Sequence, residues 1–381
     1  MKKVISTERV PIKLWLEDIE AGALQQATNL ANLPFAFKHI AVMSDAHSGF
    51  GMPIGGVLAT NQVIIPNAVG VDIGCGMCAL QTNLRNIHRE TINEILGKTR
   101  ELIPVGFEHN KELSDWPGFN EAPDIPIVQQ ELKSARYQIG TLGGGNHFIE
   151  LQQGSDGFVW LMIHSGSRNI GYRVANEYHR IAARLCEKWH SKLPDKELSF
   201  LPIDTREGKE YYEAMKFCLR FAEANRSLMM KKFFGVVAQV TGAVATDELG
   251  IHHNYAAFEY HYGTNVLVHR KGATKAYAGE RGIIPGSMGT SSYIVEGLGN
   301  PESFMSCSHG AGRRMSRSQA KKVLNLEEEQ RKMIGIVHGL RTVNELDEAP
   351  GSYKDIDVVM KNQEDLVKIL TKLTPLAGIK G

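Results

Sequence analysis

The chain has 381 residues, 43% hydrophobic and 22% charged, with a formal net charge of +1. That length can bury a large core, as one elaborated domain or two, and the composition is that of an ordinary soluble globular protein. Near-neutral charge excludes a uniformly basic surface, so any nucleic-acid contact must come from a local patch. The opening "MKKVISTERVPIKLWLEDIEAG" has no apolar h-region and no later run is long enough to span a bilayer, so no membrane partner is expected. The five cysteines, Cys75, Cys78, Cys186, Cys218 and Cys307, are too few and too scattered for a disulfide framework, which points to a reducing cytoplasm.

In chain order, residues 12–30 predict one or two helical segments from the spacing of Leu14, Leu16, Ile19 and Leu24. "HIAVMSDAHSGFGMPIGGVLAT" reads as strand, glycine-rich turn and strand, and "QVIIPNAVGVDIGCGMCALQTNL" repeats that style. "RETINEILGKTRELIP" is a helix that Pro104 stops, and the Pro-rich stretch 115–126 is a surface loop. A helix follows near 172–191. Residues 206–240 carry Met215, Cys218, Phe221, Leu228 and Met229 at helical offsets and read as an amphipathic helix packed on the core. β character returns in "NVLVHRKGATKAYAGERGIIPGSMGTSSYIV", and a helix around 316–340 and a polar tail finish the chain. Strands on both sides of a helical middle (172–240) give a mixed α+β protein, read as a single catalytic domain over 1–381 with one composite site.

The glycines mark where chemistry could sit. Cys75 lies between two glycines in "NAVGVDIGCGMCAL", three residues after Asp72, and not among bulky apolar neighbours. Of the 14 histidines, His147, His164, His253 and His309 each stand beside glycine, serine or asparagine, where a strand is ending. A lone histidine of this kind is usually a satisfied core residue; four of them with an Asp-x-x-Cys make a mixed O/S/N donor set. Such donors suit Mn²⁺ or Zn²⁺, and the set alone does not select the metal. Cys78 shares a C-x-x-C spacing with Cys75, but no second C-x-x-C follows, and plain packing is the simpler reading. "GGGN", "PGSMGTSS" and "HGAGRR" expose backbone N–H groups and small hydroxyls suited to phosphates, without matching the Walker or dinucleotide patterns. Arg313 is the best placed of the nearby cations to reach a phosphate, and Arg317 and Lys321 read as a solvated helix face.

"SDAHSGFGMPIGG", "GVDIGCGM", "GGGNHFIE", "HSGSRNIG", "HHNY", "RKGAT", "PGSMGTSSY", "HGAGRRMSR", "YKDID" and the closing "KG" together resemble the motif series of the RtcB family, in family order from about residue 40 onward. The resemblance implies an RtcB-like fold, central β-sheets with surrounding helices and a dinuclear metal site. It implies a GTP-dependent ligase, acting in RNA repair or tRNA splicing, that joins an RNA 3′-phosphate or 2′,3′-cyclic phosphate end to a 5′-hydroxyl end. By the same resemblance Asp72, Cys75 and His147 hold one Mn²⁺ and Cys75, His164 and His253 the second. Cys75 is the bridge, its glycine neighbours leaving room for two ions. Asn146, His147, Phe148, Ile149, Glu150, His253, Asn254, Pro285, Gly286, Ser287, Met288, Ser292, His309, Gly310, Ala311, Gly312 and Lys380 match guanylate-binding positions, Glu150 and Lys380 orienting the guanine. His309 matches the histidine that becomes guanylylated, passing GMP to the RNA 3′-phosphate before the 5′-hydroxyl attacks. Asp45 and His47 take a supporting role near the metals or a structural one. The implied partners are GTP and RNA, with room for an archease-like or release-factor-like helper. The chain is compact for the family near 100–140 and 190–210, and substrate selection is expected in 172–240 and loop 107–126. Two other readings use the same residues. A dinuclear metallohydrolase or cyclic phosphodiesterase needs the ligands but no histidine nucleophile, and a non-catalytic RNA-binding module should have lost a ligand or the nucleophile; no such loss is visible.

Overall fold

In the computed structural model, which describes residues 1–381, most strands belong to two sheets with helices packed against them. The six-stranded sheet runs Lys3–Ile5, Ile12–Leu14, Ala36–His47, Ile54–Thr60, Thr264–Lys271, Asn254–His261. The seven-stranded sheet runs Ala245–His252, Gly76–Thr82, Val159–Ser165, Phe148–Gly154, Val367–Lys380, Ser292–Gly297, Arg281–Ile284, antiparallel throughout. "VWLMIHS" (Val159–Ser165) is buried along its whole length, as a central strand covered on both faces should be. No helix is long and apolar enough to cross a membrane, and all five cysteines are buried free thiols.

The two sheets share a buried core, with Met43, Val57 and Val266 of one packed with Ile284, Tyr293 and Val295 of the other, and the chain steps directly between them at one residue. The strand Ala245–His252 belongs to the seven-stranded sheet and Asn254–His261 to the other, so His253 is the corner between them. Its backbone N–H donates to the Cys75 carbonyl at 2.9 Å, which ties the corner to the cysteine turn. Register does the rest. Gly76 lies opposite Ser165 and Met77 opposite His164, while Phe148 lies opposite His164 on the other side. Cys75 and His147 immediately precede those strands, so three neighbours spaced about 4.8 Å apart deliver Cys75, His164 and His147 to one place.

The long helix Arg206–Thr241 starts at Thr205, whose hydroxyl accepts the Gly208 N–H, and stops at Gly242 in a left-handed conformation (φ 74°). Met215, Cys218, Phe221 and Met229 are buried as the spacing predicts. The helix also buries two polar residues that hold the site's loops. The Asn225 Oδ1 accepts the N–H groups of Gly140 and Thr141, and its Nδ2 donates to Ser165 Oγ and the Gly166 carbonyl. Arg226 donates to the carbonyls of Gly74 and Ser165, both at 2.9 Å.

Four expectations differ from the structure. Ile12–Leu14 is a strand pairing parallel with Ile40–Val42, because that sheet buries Ile12 and Leu14 on one face and overrides helix propensity. The loop 115–126 contains a short 3-10 helix, Pro117–Glu121, whose Phe119 is buried with Trp116 against Phe217 and Phe221. The helix around 316–340 is two short ones, Arg317–Val323 and Leu326–Lys332, and the polar tail is the 14-residue strand Val367–Lys380 inside the larger sheet.

Asn225→Leu strips partners from four buried backbone and hydroxyl groups at once. We expect it to lower unfolding stability by about 2–4 kcal/mol, read by thermal or urea denaturation, with little change in secondary structure content.

Candidate metal centre and nucleotide cleft

Two triads of potential ligands share Cys75: Cys75, His164 and His253, and Asp72, Cys75 and His147, each with its donor atoms within 4.8 Å of one another. The Cys75 Sγ lies 3.2 Å from His164 Nε2 and 3.6 Å from His147 Nε2. His147 Nε2 is 3.1 Å from Asp72 Oδ2, and His164 Nε2 is 3.4 Å from His253 Nε2. The turn that carries Cys75 needs its glycines for packing rather than for open space around the sulfur. A Cβ on Gly76 would lie 2.0 Å from the Ile251 carbonyl oxygen of the neighbouring strand, and Gly74 sits in the left-handed region (φ 74°) against Leu219 and Ala222 of the long helix. Cys78 is buried in the core on the strand beyond, as the packing reading expects.

The outer nitrogens fix how these rings face inward. His147 Nδ1 is 2.9 Å from the Leu142 carbonyl and His164 Nδ1 is 3.1 Å from the Asn146 carbonyl, so each Nδ1 carries the proton and each Nε2 presents a lone pair to the centre. Burial, then the neighbouring rings, hold His164 and His253 well below the usual histidine range, so both are neutral near pH 7. Burial and the Asp72 charge push the Cys75 thiol well up. The buried His253 Nδ1 has no hydrogen-bond partner. Inward lone pairs converging from a carboxylate, a sulfur and three imidazoles are what a divalent cation satisfies, and such a cation reverses the preference of the thiol. The donor set fits metal.

His309 follows the strand Ser306–Ser308, and its ring centroid is 4.8 Å from that of His253. Its Nδ1 is 2.6 Å from Asp45 Oδ2, which also accepts the His309 backbone N–H at 3.1 Å. Asp45 is fully buried on the strand Ala36–His47. A Cβ on Gly312, at φ 72°, would lie 2.0 Å from the Asp45 carbonyl oxygen, so the glycine loop can close on this strand only without a side chain. His309 therefore keeps Nε2 free while Nδ1 is occupied.

Two clefts meet at His309, Asn146 and Ile54. One, of about 300 Å³, is walled by Phe148, Pro285, Gly286, Gly310, Ala311 and Gly312, with Arg313, Arg317, Tyr353 and Lys380 among its polar lining. The other is bounded by Asp72, Cys75, His253, Asn254, Lys271 and the exposed Phe50. Lys380 reaches the first cleft because its strand places it opposite Phe148, and it also lines an adjoining cavity with Met288. Ile149, Ser287 and Ser292 lie outside the linings of these two clefts. Ile149 faces the core; Ser292 Oγ accepts from Gly286 N–H and from Gln152; Ser287 pairs with Thr290. Asn254 bonds the Asp72 carbonyl and the Gly272 N–H. Arg313 donates to the Asp347 and Met315 carbonyls while lining the cleft. Sequence reasoning gave Asp45 only a supporting role and gave Tyr353 and Arg317 no part in the cleft. The motif "YKDID" was the available signal for Tyr353.

Two sheets closing on a buried sulfur, carboxylate and imidazole cluster, beside a glycine-walled cleft with cationic lining, define a mixed α/β protein built around a composite metal-type centre. A family profile described as "tRNA-splicing ligase RtcB" matches residues 26–121 and 117–381. The chain is 40% identical to the RNA-splicing ligase RtcB of Escherichia coli (strain K12) over 409 aligned positions covering 100% of this chain and 99% of that protein. It is 33% identical to the tRNA-splicing ligase RtcB of Nanoarchaeum equitans and 32% to that of Thermococcus kodakarensis, each over 98% of this chain and 95% of the relative. The chain belongs to the RtcB family. Both archaeal alignments run to 460 positions, beyond the 381 residues here, in keeping with a compact form.

Glu150 is buried in its strand, 2.8 Å from Gln152 Nε2, and burial raises its carboxyl from the usual 4.5 to about 7, against the opposing pull of Lys380 and Gln152. A raised carboxyl stabilises the fold below the unfolded value and loses that contribution as pH climbs through 7. Glu150→Gln should therefore melt like the parent at pH 4 and be more stable at pH 8, by up to about 3 kcal/mol in pH-dependent denaturation.

Proposed function

We propose that this protein is a GTP- and Mn²⁺-dependent ligase, one catalytic unit over 1–381, that joins RNA 3′-phosphate or 2′,3′-cyclic phosphate ends to 5′-hydroxyl ends in RNA repair or tRNA splicing. The observation that carries the reading is His309, held by Asp45 through Nδ1, at the junction of two clefts and against the ring of His253. Relatives named RNA-splicing ligases support it.

In this reading Asp72, Cys75 and His147 hold one Mn²⁺ and Cys75, His164 and His253 the other, a mixed donor set that Mn²⁺ accepts. Bound there, the ions supply neutralisation of phosphoryl oxygens. Asp45 keeps the His309 Nδ1 proton and the ring orientation, so the Nε2 lone pair points outward. Nε2 attacks the α-phosphorus of GTP; a P–N bond forms, the α–β bridging bond breaks and pyrophosphate leaves. An oxygen of the RNA 3′-phosphate then attacks the same phosphorus and His309 departs, leaving a guanylylated RNA end. The 5′-hydroxyl oxygen attacks the RNA phosphorus and gives up its proton to water; the phosphoanhydride bond breaks, GMP leaves with the bridging oxygen and the phosphodiester is complete. A cyclic end is first opened by water to the 3′-phosphate. Asn146, Phe148, Pro285, Gly286 and Gly310–Gly312 wall the guanylate cleft, Met288 and Lys380 extend it, and Glu150 and Ser292 brace it from behind.

Protein incubated with Mn²⁺ and α-labelled GTP should take up a covalent label that is acid-labile and alkali-stable, and His309→Ala should take up none. Cys75→Ala should lose metal at both sites by elemental analysis and lose label with it; a hydrolase or passive binder would never label. Asp45→Asn should keep its metal yet slow labelling at least about a hundredfold, since the amide no longer selects the Nδ1–H tautomer.

A further inference from the structure

We infer that Glu348 is a positioning residue of the nucleotide cleft, a buried carboxylate that holds Tyr353, Arg313, Arg317 and Lys380 in the arrangement that receives GTP. The inference rests on the GTP reading above and deepens it.

Four donors from three parts of the chain converge on this one carboxylate. The Tyr353 hydroxyl donates to Oε2 at 2.5 Å and Lys380 Nζ lies 3.4 Å from the same oxygen. Arg317 reaches Oε1 at 2.7 Å and Arg313 at 3.4 Å. The Glu348 side chain is only 8% exposed. All four partners line the cleft that opens on His309, whereas Glu348 lies behind them, in the wall of the adjoining cavity with Arg317 and Lys380. Its neighbour Asp347 covers only part of this charge: it pairs with Arg317 at 2.9 Å and Lys321 at 3.5 Å, and only its backbone carbonyl reaches Arg313. Without Glu348, Arg313, Arg317 and Lys380 would repel one another across the cleft, and Tyr353 would lose the bond that fixes its ring.

The sign of one measurement separates positioning from simple charge. Glu348 is an anion near the place where a triphosphate must sit. If its charge were all that mattered, Glu348→Gln would make the cleft more positive and GTP would bind more tightly. If it orders four donors, the same change scatters them and GTP binds more weakly.

The experiment is the initial rate of His309 labelling against GTP concentration, with melting temperature and metal content followed for each variant. For Glu348→Gln we expect KM for GTP to rise about tenfold or more, with a smaller change in kcat, and the rise to persist in high salt. Glu348→Asp, which keeps the charge on a shorter stem, should recover part of the loss. An unchanged or lowered KM overturns the inference. If Glu348→Gln does not fold, Tyr353→Phe removes a single donor from the hub: a severalfold higher KM supports the role and an unchanged KM overturns it. A parent protein that takes no label from GTP sinks the GTP reading itself, and this inference with it.

Discussion

The interior of this protein concentrates electron pairs where a folded chain can least accommodate them. A carboxylate, a sulfur and three imidazoles point at one another across 3.1–3.6 Å, several of them stripped of water. In a dry interior such an arrangement is costly unless positive charge is drawn into it. The backbone carbonyls of Leu142 and Asn146 take the outer protons of His147 and His164 and leave the inner nitrogen of each as a lone-pair donor. The fold is organised to bring that donor set together: adjacent strands set Cys75, His164 and His147, and the corner between sheets sets His253.

Much of this was legible in residue order, and the reasons are local. Histidines beside glycine, serine or asparagine signal a side chain at a strand end, and four of the relevant ones were visible in that way. The strand–turn–strand around Asp45 and the helices at 89–102 and 206–241 follow from pattern and stop signals. What stayed hidden depends on distant partners. Glu348 sits in "DEAPGSY", a stretch with no catalytic pattern where one 3-10 helix ends and another begins, and its role is defined by Arg313 and Lys380, more than 30 positions away on either side. The strand Val367–Lys380 did leave a trace, with Leu373, Pro375, Ala377 and Ile379 alternating on one face. Intervening lysines and the proline give that stretch the look of a polar tail.

The helical middle shows the same separation between pattern and consequence. Amphipathic spacing accounts for Met215, Cys218, Phe221 and Met229, and says nothing of Asn225 or Arg226. Those two residues connect the helix to Gly74, Gly140, Thr141, Ser165 and Gly166, which lie within three residues of Cys75, His164 or Asp72, or lead into the His147 loop. The helix thus acts as a splint for the loops that present the ligands. The carboxylate hub around Glu348 braces the neighbouring cleft, so the cleft and the Cys75 cluster have separate supports on either side of His309.

The placement of Val367–Lys380 has a consequence for how the protein is made. That strand lies between Phe148–Gly154 and Ser292–Gly297, and no other strand joins those halves of the sheet. As the polypeptide leaves the ribosome, two open β edges wait for a keystone that emerges late, and each is a surface on which a nascent neighbour could pair wrongly. The sheet therefore cannot close until that one segment has been made, whatever the stability of the finished molecule.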